Sequence, residues 1–194
     1  MPLASPTRVV RKSMIQDRIQ YTFGALRLAF DAPAASPISS AERQSRVKRL
    51  IVSMQTNDVQ AVLLGASESL RYFTGLVWHP SERFSGALIK TDGSVTIICP
   101  QFEREKFEQM IAEAGTRADA IVTWEEEHNP HALIASLLSD TDVLAIDEQI
   151  ASFTLFGLTQ VMTPSRIIGA GAMITALRSR KSPVEIAILQ RAKS

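Results

Sequence analysis

Ser85-Gly-Ala-Leu-Ile-Lys-Thr-Asp-Gly-Ser-Val-Thr-Ile-Ile-Cys99 is the stretch on which the fold turns. Two apolar runs of strand length, Ser85 to Ile89 and Val95 to Cys99, flank the polar loop Lys90-Thr-Asp-Gly-Ser. Gly93 can supply the positive φ that a short hairpin loop needs. Such a hairpin is antiparallel, so a sheet built around it is mixed and not purely parallel.

Working outward from the hairpin, strands and helices alternate. On its N-terminal side, Val59-Gln-Ala-Val-Leu-Leu is a short apolar strand, and Ser67 to Phe73 is a brief helix that Gly75 terminates. Before them, Ser40 is placed to cap a helix reaching about Met54, with Val47, Leu50, Ile51 and Met54 on one face and Arg43, Arg46 and Arg49 on the other. On the C-terminal side, Phe102 to Ala114 reads as a charged amphipathic helix whose expected buried stripe is Phe102, Phe107, Met110, Ile111 and Ala114. Ala120 to Trp124 is a strand, and Asn129-Pro130 supplies the N-cap and first residue of a helix to about Leu138. Val143 to Ile146 is a strand, Ser152 to Val161 a helix and Arg166 to Ile168 a last strand. The fold class expected is α/β, a mixed β-sheet flanked by helices.

Three segments divide the chain. Residues 1–39 read as an extension, with a helix from Lys12 to Phe30 and a Pro/Ala/Ser linker from Asp31; residues 40–178 form the compact domain. Residues 179–194 are a basic connector and the start of a further helix. There Ser182-Pro-Val-Glu185 matches a capping box, with Ser182 at N-cap, Pro183 at N1 and Glu185 at N3. A helix started in this way is expected to continue into a second domain.

With 45% hydrophobic and 21% charged residues, the composition is that of a globular chain, and no apolar run approaches the ~20 residues that span a bilayer. No membrane role is expected. A single cysteine, Cys99, excludes an internal disulfide framework and fits a cytoplasmic location; beside Pro100 and after Val95-Thr-Ile-Ile98 it reads as a small buried hydrophobe, not a nucleophile. Residues 1–50 carry nine Lys/Arg against three Asp/Glu, yet Arg8, Arg11, Lys12, Arg18 and Arg27 are not interleaved with stacking aromatics or a groove-reading motif. Nucleic acid is therefore not an expected partner. Asp17 and the lack of a cleavage signal weigh against an organelle transit peptide.

Other clusters of reactive residue types have plainer readings. In Glu125-Glu-Glu-His128-Asn-Pro-His131, capping by Asn129 leaves His128 before the helix and His131 in its first turn, so the two imidazoles do not share an i, i+4 metal-binding face. Gly169-Ala-Gly171-Ala lacks the spacing of a phosphate-binding loop and is assigned to turn flexibility. His79, Ser81 and Glu82 hold triad residue types, but adjacency along the chain does not create triad geometry.

Two segments carry a family resemblance. Asp58-Val-Gln-Ala-Val-Leu-Leu, followed by Ser69-Leu-Arg-Tyr-Phe-Thr-Gly75, resembles the first strand and turn of the N-terminal domain of the creatinase/prolidase/aminopeptidase P family, with Ser69 where that family usually shows Asn. Leu177-Arg-Ser-Arg-Lys-Ser-Pro-Val-Glu-Ile-Ala-Ile-Leu-Gln-Arg-Ala192 is similar to the stretch by which that family enters its "pita-bread" catalytic domain. The resemblance implies a ribonuclease H-like architecture and a non-catalytic domain of an Xaa-Pro peptidase, with a peptide or small-molecule substrate. Two divalent metal ions (Mn, Co or Zn) would be held by the missing catalytic domain, and no catalytic or metal-ligating residue transfers to this sequence. The resemblance also implies a homodimer in which this domain walls the substrate site of its partner. Within Leu76-Val-Trp-His-Pro-Ser-Glu-Arg83, Trp78 is then expected to pack on substrate and Arg83 to bind a carboxylate or backbone oxygen. Two alternatives stay open: a stand-alone binding or oligomerisation module, and the accessory domain of a creatinase-like hydrolase or a lyase.

Overall fold

The computed structural model describes residues 36–192. The helix expected from Lys12 to Phe30, and the start of the linker at Asp31, lie outside the described residues. Within them, Ile38–Arg180 forms one compact unit, and residues from Lys181 onward group apart from it.

That unit runs α1 (Ser40–Thr56), β1 (Ala61–Leu64), α2 (Glu68–Thr74), β2 (Gly86–Lys90), β3 (Val95–Pro100), α3 (Arg104–Ala114) and β4 (Ala120–Trp124). It continues with α4 (Pro130–Ser136), β5 (Leu144–Ile146), α5 (Ser152–Val161), β6 (Ile167–Gly169) and α6 (Gly171–Ser179). The six strands form one mixed sheet in the order β4-β3-β2-β1-β5-β6. β2 pairs antiparallel with both β1 and β3, while β3–β4, β1–β5 and β5–β6 are parallel. Five strands therefore point one way and β2 alone runs against them. The turn of the β2–β3 hairpin is where it was expected, with Gly93 at φ +90 and its N–H bonded to the Lys90 carbonyl.

Why β1 reads as an unbroken apolar run is plain from its neighbours, because all four of its residues are buried. Alternate side chains of a strand face opposite ways. Val62 and Leu64 enter the core shared with Leu50, Met54, Phe73 and Phe107, under α1, α2 and α3. Ala61 and Leu63 enter the other core, with Ile134 of α4 and Leu158 of α5. The sheet is thus covered on both faces, the arrangement that parallel strands require. No helix among the described residues is long and apolar enough to cross a membrane.

Several local expectations need correction. The α1 cap is Ser39, whose Oγ accepts from the Glu42 N–H at 3.1 Å, so the helix begins at Ser40. Arg46 does not sit on the polar face: it is 3% exposed, lies 4.0 Å over the Tyr72 ring and donates from Nη1 to the Tyr72 carbonyl at 2.8 Å. Phe102 is not part of the buried stripe of α3, for it lies in a single 3-10 turn, Gln101–Glu103, before the helix and is 62% exposed. Residues 171–179, which carry no capping signal, form helix α6. Neither Gly169 nor Gly171 has positive φ; what Gly171 provides is room, since a Cβ there would fall 1.9 Å from the Glu148 carboxylate.

Downstream of the compact unit, α7 (Pro183–Ala192) starts with the expected reciprocal cap. The Ser182 N–H donates to Glu185 Oε2 at 2.8 Å, and the Glu185 N–H donates to Ser182 Oγ at 3.3 Å.

Gly75 joins two constraints at one residue. Its φ of +79 closes α2 with an N–H bond to the Arg71 carbonyl at 2.8 Å, and a Cβ there would meet Arg43 Cζ at 2.5 Å. Gly75→Ala is expected to lower the unfolding free energy by about 1–3 kcal/mol, the usual cost of left-handed strain in a non-glycine residue. Gly169→Ala, with nothing within 4 Å and no positive φ, is the matched control. Equal urea midpoints for the two variants would show that the Gly75 turn is not under this constraint.

Candidate functional site

In open α/β sheets the carboxyl ends of the strands form the usual binding rim, because loops leave there without crossing a face. Here the carboxyl ends of β1, β3, β4 and β5 share that rim with the start of β2. A hydrogen bond across it joins two of the strand exits: Ser67 Oγ donates to Asp147 Oδ2 at 2.6 Å. The same Oγ accepts from the Ser69 and Leu70 N–H groups and so caps α2. Asp147, 3% exposed, donates its own N–H to the Leu63 carbonyl at 2.9 Å.

From this anchored helix the chain enters the loop 75–85, which holds both residues singled out from sequence. Thr74 fixes its start, donating from Oγ1 to the Leu70 carbonyl at 2.7 Å and accepting from the Leu76 N–H at 3.1 Å. Trp78 is half-buried, its ring tilted against Phe107 with centroids 4.4 Å apart and Lys106 Nζ 4.5 Å from its centroid. Part of this indole therefore extends the core and part remains open. Arg83 is oriented by a serine turn, in which Ser81 Oγ accepts from the Arg83 N–H at 3.2 Å and donates to the Arg83 carbonyl at 3.0 Å. Its Nε and Nη2 both donate to Glu126 Oε1, at 3.1 and 2.6 Å, and Nη1 donates to Glu82. These carboxylates, Glu126 foremost, hold the guanidinium pKa above its ordinary value. The Arg83 Cζ lies 5.5 Å over the ring of exposed Phe102, a residue whose helical spacing alone points to the core.

The end of the loop is fixed as firmly as its start. Trp124 Nε1 donates to the Phe84 carbonyl at 3.2 Å in a buried bond. At Gly86 the backbone passes so near β1 that a Cβ would lie 2.0 Å from the Leu64 carbonyl oxygen. Behind Arg83 lies a small cleft of about 150 Å³, lined among others by Gly65, Ser85, Ile150 and Thr154. The rim can therefore present one charged fork, two aromatic faces and backbone groups.

Ser81 and Glu82 are engaged with Arg83, and no triad forms with His79. His131 is half-buried against Gly157, where a Cβ would fall 2.2 Å from Nδ1, and burial lowers its pKa. Glu125, Glu126, Glu127 and His128 are exposed, and no group of three or more His, Cys, Asp or Glu among the described residues is placed to hold a metal ion. Cys99 is fully buried, and burial pushes its thiol up to about 12.

Two stretches of sequence about a hundred residues apart meet on the α2–α6 side of the unit. Tyr72 Oη donates to the Leu177 carbonyl at 3.3 Å and Arg178 Nη1 donates to Ser69 Oγ at 3.4 Å.

The fold has counterparts among known proteins. A family model described as Creatinase/Prolidase N-terminal domain matches residues 46–180. Among solved structures, the dipeptidase PepE from Mycobacterium ulcerans is similar with a TM-score of 0.69 at 18% identity, covering 78% of this chain and 40% of that one. The N-terminal domain of an Xaa-Pro dipeptidase from Lactobacillus brevis gives a TM-score of 0.57 at 20% identity, over 68% of this chain and 98% of that one. A recombinant prolidase from Thermococcus sibiricus gives 0.62 at 18% identity, over 74% and 39%. At these identities the likeness is one of fold, and the chain spans well under half the length of PepE and of the prolidase. No curated protein matches the sequence.

The Cys99 assignment is open to chemistry. A thiol raised from 9.0 to about 12 is almost wholly protonated at pH 8. Modification by an aromatic disulfide reagent is then expected to run about a thousandfold slower in the folded chain than in urea. Comparable rates in the two states would mean that the thiol is reachable and ionised in the fold.

Proposed function

We propose, because the chain belongs to the creatinase/prolidase N-terminal domain family, that it is the accessory domain of an Xaa-Pro peptidase. It carries no catalytic group, assembles as a homodimer, and walls the substrate site of the partner subunit. The names of the similar structures support the peptidase reading: one is the N-terminal domain of an Xaa-Pro dipeptidase and another a prolidase. The dinuclear metal chemistry of such an enzyme, with Mn, Co or Zn, belongs to a catalytic domain. The described residues of this chain offer no donor set that fits the metals, and a cytoplasmic setting suits the single buried thiol.

The observation that carries the reading is the loop 75–85, which presents half-buried Trp78 against Phe107 and Arg83 beside exposed Phe102. Arg83 is held by exposed carboxylates, with side-chain exposures of 38% for Arg83 and 62% for Glu126. An exposed pair of this kind contributes only ~0–1 kcal/mol, so an incoming carboxylate or peptide carbonyl can take over the fork at little cost. The planar guanidinium selects the oxygen, and the open part of the indole accepts an apolar or prolyl ring.

In the complete, metal-loaded protein, Arg83→Ala and Trp78→Ala are each expected to raise KM for an Xaa-Pro dipeptide about tenfold, with a smaller change in kcat. Sedimentation is expected to show a dimer. Unchanged kinetics for every dipeptide, or a strictly monomeric complete protein, would remove the wall role; dipeptide hydrolysis by the 194-residue chain alone would contradict the accessory role.

A further inference from the structure

A second and larger cleft, sharing no lining residue with the one behind Arg83, lies beside the β2–β3 turn. It lies where β2 ends at Lys90, β3 begins at Val95 and the segment leading into β4 carries Arg117. One wall is a stripe of α1 and the other is the β2–β3 turn with the segment after α3; the volume is about 270 Å³. Ser40 and Ile51 of α1 line it on one side, and Gly93 and Thr116 on the other.

Floor and rim differ in chemistry. Phe73 and Val95, 1% and 4% exposed, and part-buried Val47 form an apolar floor. Arg43, Lys48 and Arg117 supply three positive charges around it. Lys48 is exposed and makes no ion pair with a described residue. Arg117 pairs with Asp119 at 2.8 Å with 63% of its side chain exposed, an attachment that is readily exchanged. The Arg43 guanidinium is part-buried, with Nη1 donating to the Ala114 carbonyl at 2.6 Å. Burial and the neighbouring Arg46 charge lower its pKa, so an anion would stabilise the cation there. One carboxylate, Asp92, also lines the cleft, but its Oδ1 accepts from the Ser94 N–H at 2.8 Å and closes its own turn. The lining thus keeps a net positive charge.

We infer that this cleft is a binding site for a small organic carboxylate with an apolar body. The charge excess calls for an anion and the floor for a hydrocarbon or aryl group. The volume lies just below the ~300 Å³ at which ligand pockets usually begin, which keeps the molecule small. Inorganic phosphate would leave the floor uncovered, and a neutral apolar molecule would leave the cations unanswered.

The full 194-residue chain can be titrated with 4-phenylbutyrate, 4-phenylbutan-1-ol and butyrate by calorimetry and by amide shifts in 15N-labelled protein. Saturable binding of 4-phenylbutyrate is expected, with the alcohol and butyrate each about tenfold or more weaker. Shifts should centre on Gly93, Thr116 and Arg117. A Lys48→Glu, Arg117→Glu double variant, changed only at exposed side chains, is expected to keep the wild-type circular dichroism and to lose at least about tenfold in affinity. The inference is overturned by the absence of saturable binding, by equal affinity for acid and alcohol, by shifts confined to other residues, or by a folded double variant that binds as before. None of these readouts depends on peptidase activity or on the loop 75–85, so the two readings stand or fall separately.

Discussion

Two arginines of α1 hold its side of the molecule together. A helix ends with carbonyl groups that have no partner inside it and carry the negative end of its dipole. Arg43 donates to the Ala114 carbonyl at the end of α3, and Arg46 donates to the Tyr72 carbonyl near the end of α2. Each is a bond to a charged donor, worth about 1.5–3 kcal/mol. Lysine would not serve equally, because Arg43 lies flat over Gly75 and Arg46 over the Tyr72 ring, contacts that need a planar group. From this clamp follow the placing of Gly75, the departure of the loop that carries Trp78 and Arg83, and the α1 wall of the second cleft.

Much of the architecture was legible because it rests on local rules. The hairpin at Gly93, the cap at Asn129 and the reciprocal cap of Ser182 with Glu185 each arise from neighbours in sequence. What escaped depends on distant groups. Of the groups that make burial of the Arg46 guanidinium tolerable, Glu42 lies one turn back on the same helix, but the Tyr72 ring and carbonyl are distant in the chain. Phe102 matches the helical period of α3, yet Pro100 and a 3-10 turn shift it off the helix axis and leave it to Arg83. Helix α6 lacks a side-chain cap, and the Glu148 carboxylate packed on Gly171 comes from across the β5 exit. For the candidate site, Trp78 and Arg83 were visible as residue types in a loop, whereas Glu126 and Phe102 became visible only with coordinates.

A single reversed strand separates the two clefts. β2 enters the sheet at the rim through Gly86 and leaves it at the far edge through the Gly93 turn, so its two ends belong to different surfaces. At the first, aromatic rings and a carboxylate-held guanidinium stand over strand exits. At the second, cations surround an apolar floor. Between them lie two faces of close-packed side chains, in which Cys99 is fully buried.

The order of pairing in the sheet has a bearing on how the chain reaches this state. β2 and β3 meet across a four-residue turn, a closure that costs little chain entropy. β1, by contrast, gains its second neighbour from β5, and the Ser67–Asp147 bond beside that pair spans 80 residues. Contacts so distant form slowly. Until β5 docks, Ala61 to Leu64 is an unpaired edge made wholly of apolar residues, open to any passing strand. The strand buried at every residue in the finished molecule is thus the one whose apolar edge stays open longest while the chain folds.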